Sequence, residues 1–159
     1  ECRIYAEDPS RDFLPTPGVI RKMILPDGPG VRNDVGVSEG QEVSSAYDPL
    51  LAKLVVWDSD RKSAIQRMDN ALSKFIILGL VTNQPFLRDI MKNEAFKKSS
   101  FSTNFIDTHF QDWNFSKITP EVLAVALLGT KTTTVSTKKA KSGDPYSPWS
   151  SKGGWRQGV

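Results

Sequence analysis

Arg3, third in the run ECRIYAEDP, is the residue of this chain whose type and placement best suit chemistry on an anion. A guanidinium presents a fixed fork of N–H donors that matches a carboxylate, a phosphate or an enolate oxygen. If the run is a strand, Cys2, Ile4 and Ala6 fall on one face, and Glu1, Arg3, Tyr5 and Glu7 on the other. The first set can join a core, while the second presents the guanidinium among polar and acidic neighbours. Two uses remain open: an anion site, or a structural ion pair with a carboxylate such as Glu1. Arg32 poses the same choice, with Asp34 two residues on along the same face. Asp48, in AYDPLLAK, reads as a turn-initiating residue ahead of Pro49.

Other chemistries are narrowed by count. Cys2 is the only cysteine, so no disulfide forms within the chain, which fits a reducing compartment. His109 is the only histidine; Cys/His zinc sites are excluded, and a Ser-His-Asp or Cys-His arrangement would need His109 as its base. Its setting in FIDTHF, beside an apolar stripe, favours packing or a surface role. No glycine-rich loop opens a helix after a strand, so neither a P-loop nor a dinucleotide fingerprint is present. The carboxylates are scattered, with no spacing that argues for a metal site.

The net charge of +3 would suggest nucleic acid until the chain is divided. Residues 1–130 hold 15 Lys and Arg against 17 Asp and Glu, whereas residues 131–159 hold six basic residues against Asp144 alone. A domain that neutralises phosphates carries its positive charge on the folded body. Here the body is slightly acidic, so no nucleic-acid partner is expected. The longest apolar run, Phe75 to Val81, is far too short to cross a bilayer, so no membrane partner is expected either.

The elements that position these residues can be read along the chain. After the first strand, DPSRDFLPTPG is a turn-rich connection. VIRKMILP reads as one strand closed by Pro26, DGPG as a tight turn, and VRNDVGV as a strand with Val31, Asn33, Val35 and Val37 on one face. SEGQEV adds a turn and a short strand. In YDPLLAKLVVW the apolar run from Leu50 to Trp57 predicts burial on both faces, with a helical turn after Pro49. SDRKSAIQRMDNALSKF is the clearest helix: Ala64, Ile65, Met68, Ala71, Leu72 and Phe75 recur at helical period, with Ser59 or Asp60 as cap. IILGL returns as a strand. NQPFLRDIMKN reads as a second helix that starts at Asn83 or Gln84, with Pro85 in its first turn. NEAFKK and TNFIDTHF give short helical pieces, and TPEVLAVALLG a further apolar helix.

Strands first and helices afterwards predict an α+β domain, an antiparallel sheet with helices packed on one side. The expected divisions are a domain over 1–115, a helix over 116–130 that starts the next region, and a Ser/Thr/Lys-rich linker over 131–159 leading into a following domain. Trp149 and Trp155 are expected to pack in that following domain. The first residue, Glu1, already lies within a strand, so the chain reads as an excised fragment.

The motifs ECRIYAEDP, FLPTPG, PDGPGVRNDVGV, EVSSAYDPLLAKLVVW, AIQRM, TNQPFL and FSTNFI occur in an order and spacing that resembles the biotin carboxylase C-terminal domain, over roughly residues 1–110. The resemblance implies a biotin-dependent carboxylase whose ATP-grasp portion binds ATP, magnesium and bicarbonate and carboxylates protein-linked biotin. This domain would close one wall of that site, with no cofactor bound stably by the fragment alone. It implies that Arg3, the arginine of the E-C-R motif, stabilises the ureido oxygen of biotin and helps hold bicarbonate. Asp48 would orient Arg3 by a charge-assisted hydrogen bond. Thr103 would stand beside the adenine of ATP, and Pro29 and Arg32 at a homodimer contact. The magnesium-binding glutamates, the phosphate-covering loop and the catalytic base would belong to the ATP-grasp portion, outside this chain. The biotin-accepting Met-Lys-Met is also absent from it. The tail DPYSPWSSKGGWR is similar to the junction in methylcrotonyl-CoA carboxylase-type α subunits, where biotin carboxylase joins a biotin carrier domain and works with a carboxyltransferase β subunit. The implied location is the cytoplasm, or the mitochondrial matrix in a eukaryote. The competing expectation is a non-catalytic subunit-interaction module in which Arg3 and Arg32 make only structural ion pairs.

Overall fold

The longest strand, Leu50–Val56, lies at the centre of the main sheet and is largely apolar because its residues feed two cores, Ala52 and Leu54 the larger and Leu51 the smaller. The computed structural model describes residues 1–115, 120 and 123–126. Contacts divide the chain into a unit Glu1–Ser116, which holds every element named below, and a unit Lys117–Val159. In the second unit, residues 120 and 123–126 have helical backbone. The rest of the helix expected over 116–130, the linker and both tail tryptophans lie outside the described residues.

The strands in chain order are β1 (Cys2–Tyr5), β2 (Glu7–Asp8), β3 (Leu14–Pro15), β4 (Gly18–Val19), β5 (Lys22–Ile24), β6 (Val31–Val35), β7 (Glu42–Val43) and β8 (Leu50–Val56). There follow α1 (Arg61–Lys74), β9 (Ile76–Leu78), α2 (Gln84–Lys92), α3 (Glu94–Lys97) and α4 (Phe105–His109). The main sheet has the order β1-β8-β6, antiparallel throughout. Its register sets Arg3 opposite Lys53, and Lys53 opposite Asp34. Three two-stranded pairs, β2-β3, β4-β7 and β5-β9, surround it.

The helices cover one face of the sheet, as the α+β expectation requires. Cys2, Ile4, Ala52 and Leu54 from that face pack with Ile65, Met68, Ala71, Leu72 and Phe75 of the α1 segment. Phe86, Ile90 and Met91 from α2 and Phe105 from α4 complete this core. Asp60 is the α1 cap rather than Ser59, because its carboxylate accepts from the Ser63 amide at 3.0 Å and the Ser63 hydroxyl at 2.8 Å. A second, smaller core gathers Ala6, Ile20, Val43 and Leu51.

Three local expectations are corrected. The single strand over 19–26 is broken into β4 and β5, which pair with different partners. The break falls at Ile20, whose side chain is fully buried in the second core, while its amide bonds the Gln41 carbonyl and the next amide bonds Leu78. The helical turn after Pro49 does not form; the Pro49 carbonyl accepts from Ala6, and β8 is extended from Leu50. Trp57, expected to be buried, is 74% exposed just past the end of β8.

Candidate functional site

The face of the main sheet turned away from the helices is built from alternate residues of three strands. On β1 these are Arg3 and Tyr5, because Cys2 and Ile4 are committed to the core. Lys53 of β8 and Asp34 of β6 complete a row across the sheet with Arg3. Arg3 Nε lies 3.4 Å from the Glu1 carboxylate, with 61% of its side chain exposed. Hydrogen bonds to the side chains of Tyr5 and then Glu1 raise the guanidinium pKa above its ordinary value. Lys53 Nζ lies 3.3 Å from Asp34 and Arg32 Nη2 lies 3.2 Å from the same carboxylate. The Lys53 hydrogen bond, together with the charges of Arg32 and Lys53, holds Asp34 below the usual carboxylate range.

The row therefore carries three cations against two carboxylates, with an unburied guanidinium at the sheet edge. Such a surface can accept an anion or an oxygen that gains negative charge, since the donors are present and solvent can be displaced. It does not fit a divalent metal: among the described residues, no three His, Cys, Asp or Glu side chains converge. The donors of Arg3 and Lys53 suit an anionic oxygen; magnesium does not suit this chain's described residues.

The other expected site residues lie apart from this row. The Asp48 carboxylate accepts from the Leu50 amide at 3.2 Å, closing the turn over Pro49. The expected Arg3–Asp48 hydrogen bond is not made; Arg3 turns to Glu1, and Asp48 instead acts on Glu7, whose pKa is raised by burial and then by the Asp48 charge. Pro29 lies in the turn between β5 and β6, and its carbonyl accepts from Arg67 Nη1. Arg67 is also paired with Asp58 at 2.7 Å, which ties that turn to α1. Gly30 has a φ of +73°, and a Cβ there would run into Arg67 and the Trp57 carbonyl, so only glycine fits. Arg32, expected at a dimer surface or in an ion pair, makes the ion pair with Asp34. Thr103 is exposed in the loop between α3 and α4, with its hydroxyl 3.4 Å from Asn104 Oδ1. That loop is held by Arg61, whose guanidinium sits 5.0 Å from the Phe96 ring and 5.7 Å from the Phe101 ring.

Two residues join this region that their places in the sequence do not single out. Lys53 is hidden in an apolar run, and only the strand register places it against Arg3. Asn83, expected to start a helix, makes no capping bond to α2 and instead reaches β1.

Comparison with known proteins places the fold in a family. Residues 1–108 match the model of the family described as biotin carboxylase C-terminal domain. The chain is 49% identical to a pyruvate carboxylase subunit of Methanothermobacter thermautotrophicus over 109 residues, covering 69% of this chain and 22% of that protein. It is 40% identical to the mitochondrial methylcrotonoyl-CoA carboxylase alpha subunit of Dictyostelium discoideum over 159 residues, covering 98% of this chain and 23% of that protein. Among solved structures, it superposes on the biotin carboxylase domain dimer of the Hydrogenobacter thermophilus 2-oxoglutarate carboxylase, crystallised with MgADP, ADP and bicarbonate. The TM-score is 0.70 at 37% identity, covering 73% of this chain and 26% of the other. The chain thus spans about a quarter of the length of the proteins it matches. With a family model over residues 1–108 and the same fold in a solved structure at 37% identity, the chain belongs to the biotin carboxylase C-terminal domain family.

Proposed function

We propose that this segment forms one wall of the active site of an ATP-dependent biotin carboxylase, which carboxylates protein-linked biotin with bicarbonate as the first half-reaction of an acyl-CoA carboxylase. Arg3 is the residue that acts. Its N–H fork donates to the ureido oxygen of biotin or to bicarbonate, wherever negative charge develops. Biotin, when presented, supplies the ureido nitrogen that accepts the carboxyl group. Lys53 adds positive potential beside Arg3, and Glu1 and Tyr5 hold the guanidinium on the open face. ATP and magnesium are assigned to the ATP-grasp portion of the same protein, with Thr103 on the adenine side and Asp48 shaping the turn behind β1.

The observation that carries the reading is the exposure of Arg3 on a face shared with a second cation. An exposed ion pair such as Arg3–Glu1 contributes little to stability, which weighs against an arginine kept only for structure. The partners proposed are the protein's own ATP-grasp portion, a biotin carrier domain and a carboxyltransferase β subunit, with Pro29 and Arg32 near a homodimer contact. The match to the methylcrotonoyl-CoA carboxylase relative extends through the tail, beyond the family domain, which supports that acyl-CoA type. The lone cysteine and the relative named mitochondrial support a reducing location, cytoplasmic or in the mitochondrial matrix. No described helix is long and apolar enough to cross a membrane.

The test is Arg3→Ala in the full-length protein. Carboxylation of free biotin is expected to fall by roughly 10²–10³-fold, the range for loss of one preorganised charge-stabilising donor. The melting temperature and the oligomeric state are expected to stay at wild-type values. Wild-type turnover with lost assembly would instead establish the interaction-module reading.

A further inference from the structure

We infer that Asn83 is the positioning residue for Arg3, acting through the backbone of β1; the inference rests on the Arg3 reading above. β1 is an edge strand, with β8 on one side only. Its outward-facing backbone groups need partners because the strand end is packed against α2. Asn83 supplies them. Its Nδ2 donates to the Arg3 carbonyl at 3.1 Å, and its Oδ1 accepts from the Tyr5 amide at 3.0 Å. Its own backbone amide donates to the Tyr5 carbonyl at 3.2 Å. The carboxamide therefore stands where the peptide group of a further strand would stand, and it fixes the two peptides on either side of Ile4.

The anchor itself is rigid. Asn83 is 7% exposed, and Ile4 beneath it is fully buried. The next residue, Gln84, donates its carboxamide to the carbonyls of Leu72 and Phe75, the second at 2.6 Å, at the C-terminal end of α1. The pair Asn83–Gln84 thus ties β1 to the two helices. The main chain around Arg3 is held from both edges while its side chain, 61% exposed, stays on the open face beside Glu1. Catalytic geometry tolerates little displacement, and a misplacement of about 1 Å can cost on the order of 10²-fold in rate. The side chain of Asn83 does not belong to the open face, so its effect passes through Arg3.

The experiment compares Arg3→Ala, Asn83→Ala, Asn83→Asp and the double variant Arg3→Ala/Asn83→Ala in the full-length protein, with free biotin as acceptor. Asn83→Asp keeps the acceptor for Tyr5 and removes the donor to Arg3. Both Asn83 variants are expected to lower kcat by about ten- to a hundred-fold, with KM for ATP unchanged. The double variant is expected to be no slower than Arg3→Ala alone, because Asn83 has nothing left to position. Losses that multiply in the double variant, or Asn83 variants with wild-type kcat, overturn the inference. Wild-type turnover by Arg3→Ala would sink the underlying reading instead. Should Asn83→Ala fail to fold, the aspartate variant carries the comparison. Hydrogen exchange of the Tyr5 amide in the wild-type protein adds a check free of any variant. Protection like that of β8 amides is expected, and exchange as fast as an open edge overturns the inference.

Discussion

Arg3 and Lys53 stand directly opposite each other on neighbouring antiparallel strands, two cations at a position where facing side chains of opposite charge would be favoured. Each has its own carboxylate partner: Glu1, two residues before Arg3 on the same strand, and Asp34, across from Lys53 on β6. Asp34 is shared with Arg32, so the face carries one more cation than carboxylates. A surface selected only for stability would place Glu or Asp at one of the two positions. The proposed role of Arg3 would use this excess of positive charge to receive an anion.

Removing the second cation should therefore weaken anion capture without touching Arg3. For Lys53→Gln in the full-length protein, KM for bicarbonate is expected to rise about three-fold, as expected for one charge at about 6 Å in a water-like dielectric. KM for ATP should not change. Added salt should narrow the gap between variant and wild type, because exposed charges are screened beyond about a Debye length. A KM for bicarbonate that is equal in both proteins at low salt would remove Lys53 from the site.

The core under this face makes a sharper stability prediction. Leu54 is fully buried between Cys2 on β1 and Asn33 on β6, against the α1 helix, whereas Trp57 three residues on is 74% exposed. Leu54→Ala is expected to destabilise the chain by about 2–5 kcal/mol, the sum of lost burial and the cavity left behind. Trp57→Ala, which removes far more side chain, is expected to change stability by no more than about 0.5 kcal/mol. Denaturant unfolding of the two variants beside wild type gives the comparison, and a larger loss for Trp57 would reverse the assignment of inside and outside at this end of β8.

What the sequence disclosed, and what it withheld, divides by range. The faces of β1 follow from alternation within six residues, and α1 from helical period with a cap three residues before Ser63; both are local and both are present. Arg3 on the polar face is likewise legible. The pairing of Arg3 with Lys53 depends on strand register, which no short window contains, and Lys53 sits inside a run that reads as apolar on both sides. Asn83 contacts a residue 80 positions away, so its spacing from Arg3 carries no local signal, and a helix-start asparagine is most simply read as a cap. The break at Ile20 has the same origin: an uninterrupted β-forming run is split because two different partner strands claim its halves. Asp48 keeps the turn role that its place before Pro49 predicts and does not make the bond to Arg3, since a backbone amide two residues away is a nearer partner than a guanidinium on another strand.

The behaviour of Asp8 in acid follows from its surroundings. Its side chain is only 9% exposed and accepts from the Ser10 hydroxyl at 2.6 Å, the Ser10 amide at 3.0 Å and Arg11 Nε at 2.8 Å. The Ser10 hydroxyl above all, with Arg11 and the Ser10 amide, holds the carboxyl below its ordinary value of 3.8. A carboxyl depressed by folding binds its proton more readily in the unfolded chain, so its contribution to stability is complete above 3.8 and is lost as pH falls through the folded value. Glu7 beside it runs the other way, because burial and Asp48 raise it above 4.5, so its contribution is present below 4.5 and is lost as pH rises through its folded value. Comparing wild type with Asp8→Asn isolates the first effect, since Glu7 is common to both. The stability difference, read from denaturant midpoints, is expected to be full above about pH 5 and to shrink steadily below 3.8. A difference that stayed constant down to about pH 2 would mean that the Ser10 and Arg11 bonds do not depend on the charge of Asp8.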